Sequence, residues 1–318
     1  MDENNSTPTL RDIREAHARI RSLIRRTPVL TSSVLSEMAG AELHFKCETF
    51  QKTGAFKARG AANAVLSLSD EEAGRGVATH SSGNHAAALA WAAGRRGITA
   101  TVVMPRTASR VKIASVERYG GRIVFCEPNH RAREEAAERI VRETGATLVH
   151  PYPDSRVIAG QGTVALELME DVPGLGAIIC PVGGGGLLAG TAIVAGSCGR
   201  PVRVFAGEPE GAADASLSLA SGLRRPVENP SSIADGLLAF VGDKTFPIIQ
   251  AGVERIATVS DSEILDAVRR LLGILKVAVE PSGAVGYAAV ASGRLPVTGL
   301  KVGVILSGGN LDLERVLG

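Results

Sequence analysis

The chain has 318 residues, 45% hydrophobic and 21% charged, which is enough to bury one large core or two smaller ones. Its 35 basic and 33 acidic residues leave a formal net charge of +2 with no long basic run, and aromatics are only 3%. That balance argues against a polyanion-binding surface and against stacking platforms for single-stranded nucleic acid. Cys47, Cys126, Cys180 and Cys198 lack metal-ligand spacing and read as free thiols in a reducing compartment. The polar start has no signal-peptide core, and no apolar run approaches the ~20 residues that cross a bilayer. A cytoplasmic protein without membrane or nucleic-acid partners is expected.

Thr9 is placed to cap a helix beginning at Leu10, with Asp12 in the first turn, where the helix dipole favours an acid. Leu10, Ile13, Ala16, Ile20, Leu23 and Ile24 share one face at helical spacing, and Thr27 and Pro28 end the segment. A short helix is expected within 29–38, a strand over 42–46 and a helix over 58–66. From residue 70 the pattern alternates: strand 76–80, a helix to 93, strand 98–104, helix 109–119, strand 122–126, helix 129–143 and strand 146–150. Residues 151–155 read as a crossing between two lobes. A helix from about 162 follows, then strand 177–182, helix 187–195 and strand 202–206. Ser260 and Glu263 stand at capping-box spacing before a helix over 261–275. A helix over 283–291 and a buried strand over 301–306 complete the series. Such alternation predicts an α/β fold with parallel sheets and ligands at the carboxyl ends of strands.

Within residues 48–60, Lys57 is flanked by Phe56 and Ala58, so it is expected in a partly apolar setting. Burial disfavours an ammonium ion, and a neutral amine is the form that condenses with an aldehyde. The plain alternative is a solvated lysine at a helix start. Gly183, Gly184, Gly185 and Gly186 follow a strand and open a helix, which suits a single phosphate held by backbone amides. No Lys-Ser/Thr pair follows, so this is not a P-loop. Ser81, Ser82, Gly83, Asn84 and His85 form a second polar loop at a strand end, with Ser82 ranked above His85 as a proton carrier. Residues 307–310, starting at Ser307, form a third. Each loop alone is also a plain turn, but their coincidence with an apolar-flanked lysine is much rarer.

This set resembles the fold-type II pyridoxal-phosphate enzymes, in particular the serine/threonine dehydratase and serine racemase branch, which includes 3-hydroxyaspartate dehydratases. The resemblance runs from Arg26 to Leu311 and includes residues 157–163 and 280–283. It implies a two-lobed fold similar to the tryptophan synthase β subunit, each lobe a mostly parallel twisted sheet flanked by helices. Residues 1–72 and 153–318 would form the large cofactor domain, and 73–152 a small mobile domain closing over substrate. It also implies that Lys57 carries pyridoxal 5'-phosphate beside Phe56, that Gly183 to Gly186 hold the phosphate, and that Asn84 bonds the ring's phenolic oxygen. Ser307 would face the pyridine nitrogen, Glu280 would border the cofactor, and Ser81, Ser82, Gly83, Asn84 and His85 would receive the substrate carboxylate. A serine at the ring nitrogen, unlike a carboxylate, does not hold it protonated, which suits elimination and discourages transamination.

The expected reaction is elimination of water from a β-hydroxy amino acid (serine, threonine or 3-hydroxyaspartate) to a 2-oxo acid and ammonia, with Lys57 as the base at Cα. The alternative is an amino-acid racemase with Lys57 and Ser82 on opposite faces. A β-replacement enzyme fits less well, because that branch has threonine where His85 stands. A non-catalytic cofactor carrier on the same fold is a further rival. Glu208, the Ala212 carbonyl and Asp214 match the branch's divalent-cation loop, suiting Mg²⁺, Mn²⁺ or Ca²⁺, against the plain reading of a solvated acidic loop. Arg133 stands where racemases and hydroxyaspartate dehydratases of this branch carry an arginine, and a guanidinium there could pair with a second substrate carboxylate, favouring 3-hydroxyaspartate; its plain reading is a solvated helix arginine. Ala55 departs from the serine common before the Phe-Lys pair. The chain ends soon after its last glycine loop, so no amino-acid-sensing domain is expected, and the resemblance implies a homodimer.

Overall fold

The computed structural model describes residues 6–311 apart from 82, 109, 198, 200 and 201. Its ten strands are β1 (Val29–Thr31), β2 (Glu42–Cys47), β3 (Val77–His80), β4 (Ala100–Pro105), β5 (Arg122–Cys126), β6 (Thr147–Leu148), β7 (Ala177–Pro181), β8 (Arg203–Pro209), β9 (Arg255–Val259) and β10 (Lys301–Leu306). They form a six-stranded sheet in the order β1-β2-β10-β7-β8-β9 and a four-stranded sheet in the order β5-β4-β3-β6. Every neighbouring pair is parallel except β1 with β2. All strands of the smaller sheet come from residues 77–148, between the two stretches that build the larger one.

β7 is buried along its whole length, and β10 is buried from Val302 onward. A strand with no polar face needs helices on both sides. The helix Pro281–Ala291 covers one face with a run of small and apolar buried residues. The helices Ser155–Asp171 and Gly186–Gly196 cover the other. No helix among the described residues is long and apolar enough to cross a membrane.

Local capping rules account for several helix starts. Thr9 and Asp12 form a reciprocal capping box on the helix Leu10–Ile20, and Ser260 and Glu263 do the same for Asp261–Arg270. The first helix stops at Ile20, however, so Leu23 and Ile24 lie beyond it. The short helix expected within 29–38 is Ser33–Ala39, capped by Ser32; before it, β1 pairs with the edge of β2. The helix expected from about 162 begins at Ser155. Gly160 and Gly162 weaken its helical signal, yet tertiary packing requires the first of them: a Cβ on Gly160 would lie 2.6 Å from Gly60 Cα. The expected helix over 261–275 ends in a π turn, Leu271–Leu275. β9 and the helices Asp214–Ser221 and Thr245–Gly252 lie where no element was expected.

The Gly60–Gly160 contact presses the helix Lys57–Leu66 onto Ser155–Asp171, and a buried ion network locks the pair. Arg59 has no solvent exposure. Its Nε and Nη2 donate to the Glu48 carboxylate, and Nη1 and Nη2 donate to the Glu167 carboxylate, each at 2.8 Å. Lys46 Nζ, also fully buried, lies 2.9 Å from Glu167 Oε2. Burial alone would raise the Glu167 pKa, but the hydrogen bonds and charge of Arg59 hold it below the usual range. Removing one partner strands the others without compensation. Arg59→Met should therefore cost about 3–5 kcal/mol in urea unfolding; a loss under about 1 kcal/mol would show that the network does not hold these helices.

Candidate active site

The three polar loops of the sequence follow β3, β7 and β10, at the carboxyl ends of parallel strands. Lys57 is the first residue of its helix, immediately after the loop that the β10 end fastens. Phe56 N–H donates to the Ser307 carbonyl at 3.0 Å, and Ala55 forms an antiparallel bridge with Gly308. Lys57 is half-buried; its Nζ donates to the Pro151 carbonyl at 2.8 Å and lies 5.0 Å from the Phe56 ring centre. Burial pushes its pKa down from 10.5 to about 8. No carboxylate is bonded to it among the described residues. The apolar setting expected from Phe56 and Ala58 is present.

Asn84 opens the helix Asn84–Arg96. Its Nδ2 donates to Glu280 Oε1 at 2.7 Å, and its Oδ1 accepts from Asn310 Nδ2 at 2.7 Å. Burial pushes the Glu280 pKa up to about 7, Asn84 acting in the opposite direction. Gly308 is pinned here: a Cβ would fall 2.0 Å from Glu280 Oε1 and 3.1 Å from Ala55 Cβ. Ser307 is buried at the end of β10. Ser81 Oγ accepts a long bond from the Gly83 N–H at 3.4 Å. Ser82 lies outside the described residues.

At the end of β7, Gly185 takes φ +88° as the residue before the helix Gly186–Gly196. Side chains are excluded beside it: a Cβ on Gly184 would sit 2.2 Å from Tyr152 Cγ, and one on Gly183 2.9 Å from Leu237 Cα. Thr245 Oγ1 closes the turn by donating to the Gly184 carbonyl at 2.8 Å. The result is a loop of bare backbone at a helix N-terminus, where unpaired amides favour an anion.

Two histidines border Lys57 electrostatically, and both are neutral. His85 is buried with Nε2 3.2 Å from the Val149 carbonyl, and burial holds its pKa well below the usual value. His150 is pushed down to about 3 by burial and by nearby His80 and Lys57. His80, His150 and Tyr152 stack edge to face in turn, at centroid distances of 4.9 and 4.7 Å. Arg133 is half-buried and within electrostatic reach of Tyr152; its Nε is shut from solvent without a hydrogen-bond partner.

Glu208 lies at the end of β8, 0% exposed. Its oxygens accept from the Ala215 and Ser216 N–H groups at 2.8 Å, while Asp214 Oδ2 accepts from Val241 N–H at 2.8 Å. Burial raises Glu208 to about 8 and Asp214 to about 6. Ala212 is buried in the turn between them. Among the described residues no group of three or more His, Cys, Asp or Glu side chains converges as a metal site, so any cation here would need the Ala212 carbonyl and water as well.

The family profile described as "Pyridoxal-phosphate dependent enzyme" matches residues 20–308. The chain belongs to this family. It is 49% identical over 309 residues to the β-hydroxyaspartate dehydratase of Paracoccus denitrificans, spanning 97% of this chain and 98% of that one. It superposes on maize serine racemase with a TM-score of 0.96 at 46% identity, covering 98% and 96% of the two chains. The threonine deaminase of T.th. gives 0.90 at 42% identity, covering 96% and 99%. The two-sheet α/β architecture is therefore that of fold-type II pyridoxal-phosphate enzymes.

The residues fit the family's cofactor. A lysine with a depressed pKa lies against Pro151, the anion-ready glycine loop lies against the adjacent Tyr152, and the strand-end Ser307 bonds the residue before that lysine. Sequence patterns missed Tyr152, Asn310 and the Arg59 network. Tyr152 lay within the expected crossing between lobes with no role assigned, and all three depend on contacts between residues far apart in the chain. Cofactor capture provides a direct check on Lys57. The rate at which cofactor-free protein binds pyridoxal phosphate should rise with pH with a midpoint near 8, as the amine loses its proton. A midpoint near 10.5 would mean a solvated lysine.

Proposed function

We propose that this enzyme is an ammonia-lyase that dehydrates a β-hydroxy amino acid to a 2-oxo acid and ammonia, with 3-hydroxyaspartate as the favoured substrate. The observation that carries the reading is Lys57, an amine at pKa about 8 beside the glycine loop. Roughly a quarter of it is neutral at pH 7.5 by simple titration. Bound pyridoxal phosphate supplies an electron sink for the pair left at Cα. Lys57 Nζ, released from the Pro151 carbonyl, takes the Cα proton. Gly183 to Gly186 would hold the phosphate through backbone amides, Asn84 and Ser307 would orient the ring, and Glu280 anchors Asn84. Ser81, Gly83 and His85 border the substrate carboxylate.

Arg133 supports the choice of substrate. Arg133 is half-buried and within electrostatic reach of Tyr152, and the accessible part of its guanidinium could pair with the second carboxylate of 3-hydroxyaspartate, which neither serine nor threonine possesses. The likeness to β-hydroxyaspartate dehydratase points the same way. A racemase is the second reading, favoured by the likeness to maize serine racemase. It requires a second proton carrier opposite Lys57, the role expected of Ser82. Division into a large domain, 1–72 with 153–318, and a mobile domain, 73–152, is part of the proposal. The two would meet along the helix Lys57–Leu66, whose Val65 carbonyl accepts from Arg96 and whose apolar face packs with Ala86 and Leu89, and also at the Asn84–Glu280 bond and the Lys112–Asp235 ion pair at 2.7 Å. A homodimer and a cytoplasmic setting are also part of the proposal, the latter suited to buried free thiols at Cys47, Cys126 and Cys180.

A divalent cation held by Glu208, Asp214 and the Ala212 carbonyl completes the reading. Two neighbouring buried carboxyls with raised pKa values and no bonded cationic side chain suit Mg²⁺, Mn²⁺ or Ca²⁺.

Three outcomes are expected. Lys57→Ala should abolish both turnover and the visible absorption of bound cofactor; survival of both would sink the enzyme assignment. Arg133→Leu should lower kcat/KM for 3-hydroxyaspartate about 10- to 100-fold while changing that for L-serine far less; equal losses would remove Arg133 from substrate choice. Adding Mg²⁺ to EDTA-treated protein should raise its melting temperature, and Glu208→Gln should erase that rise. D-serine formed from L-serine faster than pyruvate would favour the racemase.

A further inference from the structure

Asn310, at the far end of the loop after β10, touches neither Lys57 nor the glycine loop, yet the polarity of the site runs through it. Its Nδ2 lies 2.8 Å from the Thr53 carbonyl, a group that can only accept. That contact fixes which end of the Asn310 amide is NH₂. The atom of Asn84 that the same Nδ2 meets at 2.7 Å must then be an acceptor, Oδ1. The other end of Asn84 is therefore Nδ2, and it faces Glu280 Oε1, as a donor should. A main-chain carbonyl thus sets the orientation of two side-chain amides in succession. The loop is shaped for this: Thr53 holds φ +59°, a conformation that a β-branched residue adopts only under constraint. Gly54 leaves room for Asn310, because a Cβ there would lie 2.3 Å from its Oδ1.

We infer that Asn310 is a positioning residue: by occupying Asn84 Oδ1 it leaves Asn84 only an N–H to offer, so the bound cofactor's phenolic oxygen meets a donor rather than an acceptor. The inference rests on the proposed roles of Lys57 and Asn84 and deepens them. Asn310 is solvent-exposed, so each of its bonds competes with water and its effect is modest.

Titrating cofactor-free protein with pyridoxal phosphate, while recording the visible band, tests it. Asn310→Ala frees Asn84 and should weaken cofactor affinity about two- to tenfold. Asn310→Asp keeps the shape but removes the donor, so Asn84 must reverse and present its oxygen. Affinity should fall further than with alanine, and the visible maximum should move. In an Asn84→Ala background both substitutions should have no additional effect. Three results would overturn the inference: near-normal binding by Asn310→Asp, losses that add to that of Asn84→Ala, or unchanged affinity and spectrum throughout. A visible band that survives Lys57→Ala would instead overturn the reading on which it rests.

Discussion

A guanidinium with no access to solvent is the constraint from which the site follows. Arg59 holds Glu48 from the segment before Lys57 and Glu167 from a helix more than a hundred residues away. Two residues back along the same helix is the reactive amine. The side chains of Arg59 and Lys57 have opposite environments. Arg59 is buried with full compensation by carboxylates, so it keeps its charge. Lys57 is half-buried with only a carbonyl and a ring beside it, so it sheds its charge easily. One rigid helix start can therefore hold a permanent cation and a reactive amine about half a turn apart.

Around that start, three strand ends contribute three different functions. β7 delivers bare backbone at a helix N-terminus, which suits an anion without needing a side-chain charge. β10 delivers the Ser307 carbonyl and Gly308, which fasten the residues preceding Lys57. β3 delivers Asn84, bound to Glu280 and Asn310 across the crevice. The carboxyl ends of parallel strands are where such side chains converge, so the topology does most of the positioning.

Much of this was legible in the residues. The apolar flanks of Lys57 foretold its depressed pKa, and the strand–helix alternation foretold parallel sheets. Capping at Thr9 and Ser260 was visible because a capping box is a local pattern. What stayed hidden was tertiary. The early start of the helix at Ser155 was masked by Gly160, whose presence makes sense only against Gly60. β9 and two eight-residue helices have short patterns that long-range packing completes. Arg59 reads as one more surface charge until the buried carboxylates appear. Asn310 reads as a turn residue until the Thr53 carbonyl is beside it.

The pairing of β2 with β10 has a consequence for how the chain acquires its chemistry. Residues 42–47 must wait for residues 301–306, and Ala55 for Gly308. A contact spanning some 250 positions is slow to close, since the entropy of the intervening chain is lost before the contact is gained. During synthesis, Lys57 emerges early, and Gly308, which pairs with the residue two before it, comes some 250 residues later. Until then the amine stays solvated and protonated, a poor trap for any aldehyde it meets.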